Sequence, residues 1–375
     1  MLPLLALLVT APGPDPRDSS TVVILHGRYL DVDAGVLKDN GALVLRAGRI
    51  AEMHPAEDGY LPPSGATVRD ASGQTILPGL IDAHVHLTLN GDPAANARAT
   101  LRAGFTTVVD LGSVDGAGVK LRDAIRAGEI EGPRVIAAGS WIGATHGVCE
   151  FGRATVSTPA EAEARARADV AAGAEILKVC VTGWPADAVA SPDSIELKSP
   201  LLAPVLKEAK RARKPVYAHA IGEAGALLAA RSGVRALAHT PVVDSAGATQ
   251  LAKSGVYLIS TLATLGQGQG GDQVRASFSR LTRAGIPVVL GTDAGVLPHG
   301  ENARELVALT EGGLTPIEAL RAATSTAARL LERTDLGRIT RGATADLVVV
   351  PGDPLADVAV LAHPSLVISG GRVVN

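Results

Sequence analysis

Hydrophobic and polar positions alternate in two textures along this 375-residue chain. From Thr21 to about Thr75, short β-rich runs (TVVILHGRYLDV, GALVLRAGRIAEM, ATVRDASG) are bounded by Gly and Asp, the punctuation of strands and turns. The chain returns to that style at its end, in ADLVVVPGDP and PSLVISGGRVVN. Between these ends, eight apolar runs alternate with helical text: 76–87, 106–112, 133–143, 175–183, 214–222, 234–240, 255–263 and 286–295. Thr158, Pro159 and Glu161 open one helix and Gly173 closes it; Thr315, Pro316 and Glu318 open another. A hydroxyl cap, a proline in the first turn and a Glu three residues after the cap are start signals, and Gly is a stop signal.

Eight strand–helix alternations over 76–344 predict an α/β fold, a (β/α)8 TIM barrel. A doubly wound open sheet is the alternative. It lacks a convincing dinucleotide motif, because GQGQGG at 266–271 follows the seventh strand rather than the first. That segment reads as a mobile loop or lid. The two β-rich ends, 21–75 and 345–375, predict one small β-sandwich domain built from both termini.

Residues 1–20 read as a signal peptide and linker. The apolar run Leu2 to Ala11 is too short to span a bilayer but suits a signal-peptide core, with Val9-Thr10-Ala11 as a cleavage site. No Lys or Arg precedes the run, so export is favoured only narrowly over a cytoplasmic location. A hydrophobic content of 46% supports a large core and excludes disorder for most of the chain. Lys+Arg 35 against Asp+Glu 38 gives a net charge of −3, which excludes a nucleic-acid partner held by its phosphates. A small-molecule substrate is the partner expected, and homo-oligomerisation stays open. Two cysteines exclude a disulfide framework and a Cys-rich zinc site.

Barrel enzymes carry their chemistry at the C-terminal ends of strands. The first strand ends in Asp82-Ala83-His84-Val85-His86. Histidines at i and i+2 share one face of a strand, so both rings can reach one ion. Lys178 lies on the fourth strand; His219, His239 and Asp293 end the fifth, sixth and eighth. A lone strand histidine is usually a satisfied core residue. Four of the nine histidines at strand ends, joined by one Asp, would each need a buried partner, and a metal centre gives all of them one. His26, His54 and His363 read as ordinary polar residues.

LPGLIDAHVHL, ILKV, VYAHA, LAHT, GTDAG and the tail from GLTPIEALRAATSTAARLL to LGRITRGATADLVVVPGDP resemble the amidohydrolase superfamily, above all its prolidase-like and imidazolonepropionase-like members. The resemblance covers nearly the whole chain after residue 20. It implies two divalent ions, most simply zinc: one on His84, His86 and Asp293, the other on His219 and His239. Lys178 would bridge them as a CO2-derived carbamate. The alternative for Lys178 is a plain ion-paired lysine beside a mononuclear site. A hydroxide bridging the two ions would attack an amide or peptide C–N bond, with Asp293 as general base and then general acid. The substrates implied are N-acyl amino acids, Xaa-Pro-like dipeptides or cyclic amides. A mononuclear cyclic amidohydrolase or deaminase is the alternative, and a non-catalytic metal-binding scaffold is a weaker one.

His146, in the GATHG turn after strand three, matches a histidine that touches the scissile carbonyl in relatives. His299, past Asp293, is a further candidate for substrate contact. Trp141 and Trp184, just past strands three and four, form with Phe151 a candidate apolar wall, and Arg153 a candidate partner for a substrate carboxylate. Ile221 stands where relatives that cut dipeptides carry an aromatic hydroxyl. Cys180 shares the face of Lys178; whether it pairs with Cys149 is open.

Overall fold

The computed structural model describes residues 21–184, 193–266 and 270–374. The N-terminal run and the middle of the 266–271 segment therefore lie outside the described residues. Eight parallel strands follow one another in chain order: β1 (Leu80–Val85), β2 (Phe105–Asp110), β3 (Arg134–Ala144), β4 (Ile176–Cys180), β5 (Val216–His219), β6 (Ala236–Ala238), β7 (Tyr257–Ile259) and β8 (Val288–Val289). Backbone hydrogen bonds close the ring. Ala83 N donates to Leu290 O at 2.9 Å, Asp293 N to His84 O at 2.8 Å and His86 N to Ala294 O at 2.6 Å. This is the TIM barrel the alternation predicts.

Inside the barrel, Ile81, Val109, Ile176, Tyr217, Ile259 and Val289 belong to one buried cluster. A larger apolar cluster lies between the strands and their helices. Helix signals read from the sequence are realised. Thr158 Oγ1 accepts from Glu161 N at 3.2 Å while Glu161 Oε2 accepts from Thr158 N at 3.2 Å. Thr315 N donates to Glu318 Oε2 at 2.8 Å. No helix among the described residues is long and apolar enough to cross a membrane.

The small domain is a sandwich of two sheets. One is four-stranded, in the order Arg49–His54, Ala42–Arg46, Val22–Leu25, Thr67–Asp70. The other has six strands, with Leu347–Pro351 paired antiparallel to Gln74–Pro78 at its centre. Ile24, Leu43, Ile76, Leu347 and Ile368 share their core, so both ends of the chain build it. Ile339 and Ala343 join that core, a few residues earlier than the sequence suggests.

One element differs from its reading. The apolar run 76–87 is two strands, Gln74–Pro78 in the small domain and β1 in the barrel. They part at Gly79, whose N donates to Asp346 O at 2.7 Å. A Cβ there would sit 2.1 Å from Thr106 Oγ1, so only glycine passes the crossing. Ile76, Leu77 and Pro78 run into Leu80 and Ile81 across Gly79 with no polar residue between them, so hydrophobicity alone could not divide the two strands.

Candidate functional site

The polar atoms of the barrel interior gather at one end of it. On β4, Ile176 belongs to the apolar interior and Lys178, two residues on, reaches the site. Tyr217 and His219 repeat the arrangement on β5. His84, His86, Lys178, His219, His239 and Asp293 all line a single cavity of about 560 Å³, and all six are buried. His84 Nε2 lies 3.3 Å from His86 Nε2. Asp293 Oδ1 is 3.4 Å from the first and 3.2 Å from the second. The His239 ring centroid is 4.8 Å from that of His84 and 4.6 Å from that of His219. His84, His239 and Asp293 each bring one ligand atom to within 4.8 Å of the others. His239 (φ 75°) and Asp293 (φ 58°) both hold left-handed backbone. Such conformations cost roughly 1–3 kcal/mol each and persist mainly at functional sites.

Burial works against the charged forms of His84, Lys178, His219 and His239. Desolvation, aided by neighbouring cations, drives His84 and His239 well below the usual imidazole range, and His219 to about 4. Burial pulls the Lys178 ammonium down to about 7, with Asp293 opposing in part. The rings are therefore neutral, as ligands must be. Lys178 Nζ and the Nδ1 atoms of His84 and His86 are buried with no hydrogen-bond partner. A protein interior rarely leaves such atoms bare. The donor set of four imidazoles, one carboxylate and one buried amine fits divalent transition ions.

Residues behind the cluster hold it in place. Buried Asp82 accepts from His84 N at 3.1 Å, Thr292 Oγ1 at 2.7 Å and Asn302 Nδ2 at 2.8 Å, lacing β1 to the segment after β8. His219 Nε2 donates to Gly183 O at 3.2 Å, which leaves its Nδ1 for the cavity. Thr261 Oγ1 lies 3.0 Å from His239 Nδ1. Buried Glu305 accepts from Leu262 N at 2.8 Å and Ala263 N at 2.6 Å, fixing the turn that carries Thr261. Asp82 stands inside the DAHVH motif, yet its role, like those of Glu305 and Asn302, escaped the sequence. A buried acid away from the strand-end face gives no periodic signal.

The model of the amidohydrolase family matches residues 75–374. The chain belongs to the amidohydrolase family. It is thus a hydrolase acting on carbon–nitrogen bonds. It is 26% identical to ochratoxinase of Aspergillus niger over 93% of this chain and 85% of that one. It is 40% identical to imidazolonepropionase of Anaeromyxobacter dehalogenans, over 40% of this chain and 37% of that one. Among solved structures it resembles a Xaa-Pro dipeptidase with bound methionine in the active site. The TM-score is 0.85 at 27% identity, covering 94% of this chain and 99% of that one.

The remaining candidates of this amidohydrolase divide. Trp141 and Trp184 line the cavity together with Phe151. His146 lies apart: its side chain is 85% exposed and its Nδ1 is 3.6 Å from Glu150 Oε1. Arg153 is also exposed, on left-handed backbone at φ 57°. Neither lines the cavity. His299 does not line it either. It packs behind the site, with Nδ1 3.0 Å from Thr100 Oγ1 and Nε2 3.3 Å from His86 O, and burial lowers it to about 4. Cys149 and Cys180 form a disulfide, which joins the loop after β3 to the end of β4.

Proposed function

We propose that this amidohydrolase cleaves the C–N bond of a small amide or peptide, such as an N-acyl amino acid or Xaa-Pro-like dipeptide, at a centre built for two divalent ions, zinc first among them. His84, His86 and Asp293 would hold one ion, His219 and His239 the other, and Lys178 would join them as its carbamate. The observation that carries this reading is Lys178: a buried Nζ without a partner, in a cavity shared with four imidazoles and Asp293. Asp293 favours an ammonium there, but the cost of burying it is larger. Burial favours the free amine, the form that adds to CO2, and the resulting carbamate is an anion with two oxygen donors. Ions bound there supply an acidified water and a polarised substrate carbonyl. Asp293 takes the proton from the attacking water and returns it to the leaving amine. The fixed backbone around Asp293 and the Asp82 lacing keep that carboxylate in register with the histidines.

The Xaa-Pro dipeptidase neighbour supports a peptide-like substrate. A second reading, a mononuclear cyclic amidohydrolase or deaminase, draws on the close triple of His84, His239 and Asp293 and on the imidazolonepropionase relative. Metal analysis of wild type and Lys178→Met separates them. The binuclear reading expects two ions per chain falling to one or none in the variant, with turnover lost. One ion per chain in both proteins would favour the second reading.

A further inference from the structure

The chain has few aromatic residues, Trp 2, Tyr 4 and Phe 3, yet both tryptophans and Phe151 line this one cavity. Trp141 stands between the metal ligands and the mouth. Its ring centroid is 5.2 Å from that of His86 and 5.0 Å from that of Phe151. Trp184 meets His239 on the other side, at 5.3 Å. The wall is built rather than incidental. A Cβ at Gly112 or Gly152 would come within 2.6 Å or 2.7 Å of the Trp141 indole, so two glycines make room for it. The Cys149–Cys180 disulfide packs with Trp141 and fastens the loop that carries Phe151.

The mouth is apolar where water would normally be met. Of the five exposed large hydrophobic residues among the described residues, Phe151 at 55% and Val296 at 56% both stand on this cavity. Among the described lining residues the only Lys or Arg is Lys178, which belongs to the ligand cluster. An exposed apolar rim around a few convergent polar groups marks a recognition site.

We propose that Trp141, Phe151 and Val296 form a specificity subsite for a bulky apolar group, aromatic by preference, carried by the substrate next to the scissile C–N bond. The inference rests on the reading of the cluster as an accessible metal centre. Aromatic walls favour a ring through offset or edge contacts as well as through buried area.

The two tryptophans make the test direct, because both report on this cavity. Zinc-loaded protein is titrated with acetohydroxamate and with benzohydroxamate, which share a metal-binding head and differ by a phenyl ring, and tryptophan fluorescence is followed. Benzohydroxamate is expected to bind about tenfold tighter or more, the gain for burying one ring. In Phe151→Ala that preference should fall to about twofold or less. Phe151 is largely exposed, so its truncation removes little core. Equal affinities in wild type, with acetohydroxamate bound, would overturn the subsite and leave the metal reading standing. A preference untouched in Phe151→Ala would also overturn it. Failure of both hydroxamates to bind would sink the accessible metal centre and this inference with it.

Discussion

The lower and upper interiors of the barrel come from the same strands, a residue or two apart, and follow opposite rules. Below, Ile81, Val109, Ile176, Tyr217 and Val289 pack as an apolar core. Above, β1, β4, β5 and the segments after β6 and β8 bring nitrogens and oxygens into the cavity, and several of those atoms have no protein partner. The lower layer gains stability from burial and tolerates little change of volume. The upper layer spends it on desolvation and on left-handed backbone at His239 and Asp293. A buried polar cluster that weakens the fold persists when it serves chemistry.

Substitutions break this comparison in order of size. Asp293→Asn should cut turnover roughly a thousandfold or more, measured as kcat on an amide substrate, while the melting temperature of metal-free protein holds or rises. A large loss of stability instead would mean that Asp293 is structural. Tyr217→Ala, two residues below His219, should do the reverse. It should cost about 3–5 kcal/mol in denaturant unfolding, with specific activity per folded molecule little changed. Tyr217→Phe sharpens the contrast, because the buried hydroxyl has no partner and its loss should be neutral or stabilising.

Smaller effects lie outside the two layers. Reducing the Cys149–Cys180 disulfide frees a loop with a sequence separation of 31 residues, which should cost about 3–4 kcal/mol in equilibrium unfolding. At the domain junction, hydrogen bonds from Arg333, then Thr344, hold the Asp335 carboxyl well below the usual carboxylate range. A depressed folded pKa adds stability that is complete above the unfolded value near about 4 and is lost as the pH falls toward the folded one. The melting-temperature gap between wild type and Asp335→Asn should therefore be wide at neutral pH and shrink in acid; a constant gap would contradict the assignment. The smallest effect is expected at exposed His146: His146→Ala should change kcat by less than about threefold.

Much of the cluster was legible because strand geometry is local. The i, i+2 spacing of His84 and His86, and the Gly and Thr text that ends each strand, place side chains without knowledge of the rest of the fold. Loop residues gave no such handle. His146 and Arg153 themselves hold positive-φ backbone in turns whose course depends on long-range packing, and they stand clear of the cavity. His299 looked like a mouth residue, but its partners Thr100 and His86 lie some 200 positions away in sequence. The disulfide is likewise an adjacency made by the barrel: two neighbouring strands bring Cys149 to Cys180. The strand division at Gly79 was hidden for the opposite reason, since both halves read as one apolar run.

The central claim is that Lys178 joins two ions as a carbamate, and intact mass with metal count under non-denaturing conditions tests it most directly. The account predicts a chain heavier by one CO2 and two divalent ions, the CO2 increment being lost on acidification and absent in Lys178→Met. An unmodified chain carrying one ion would contradict it.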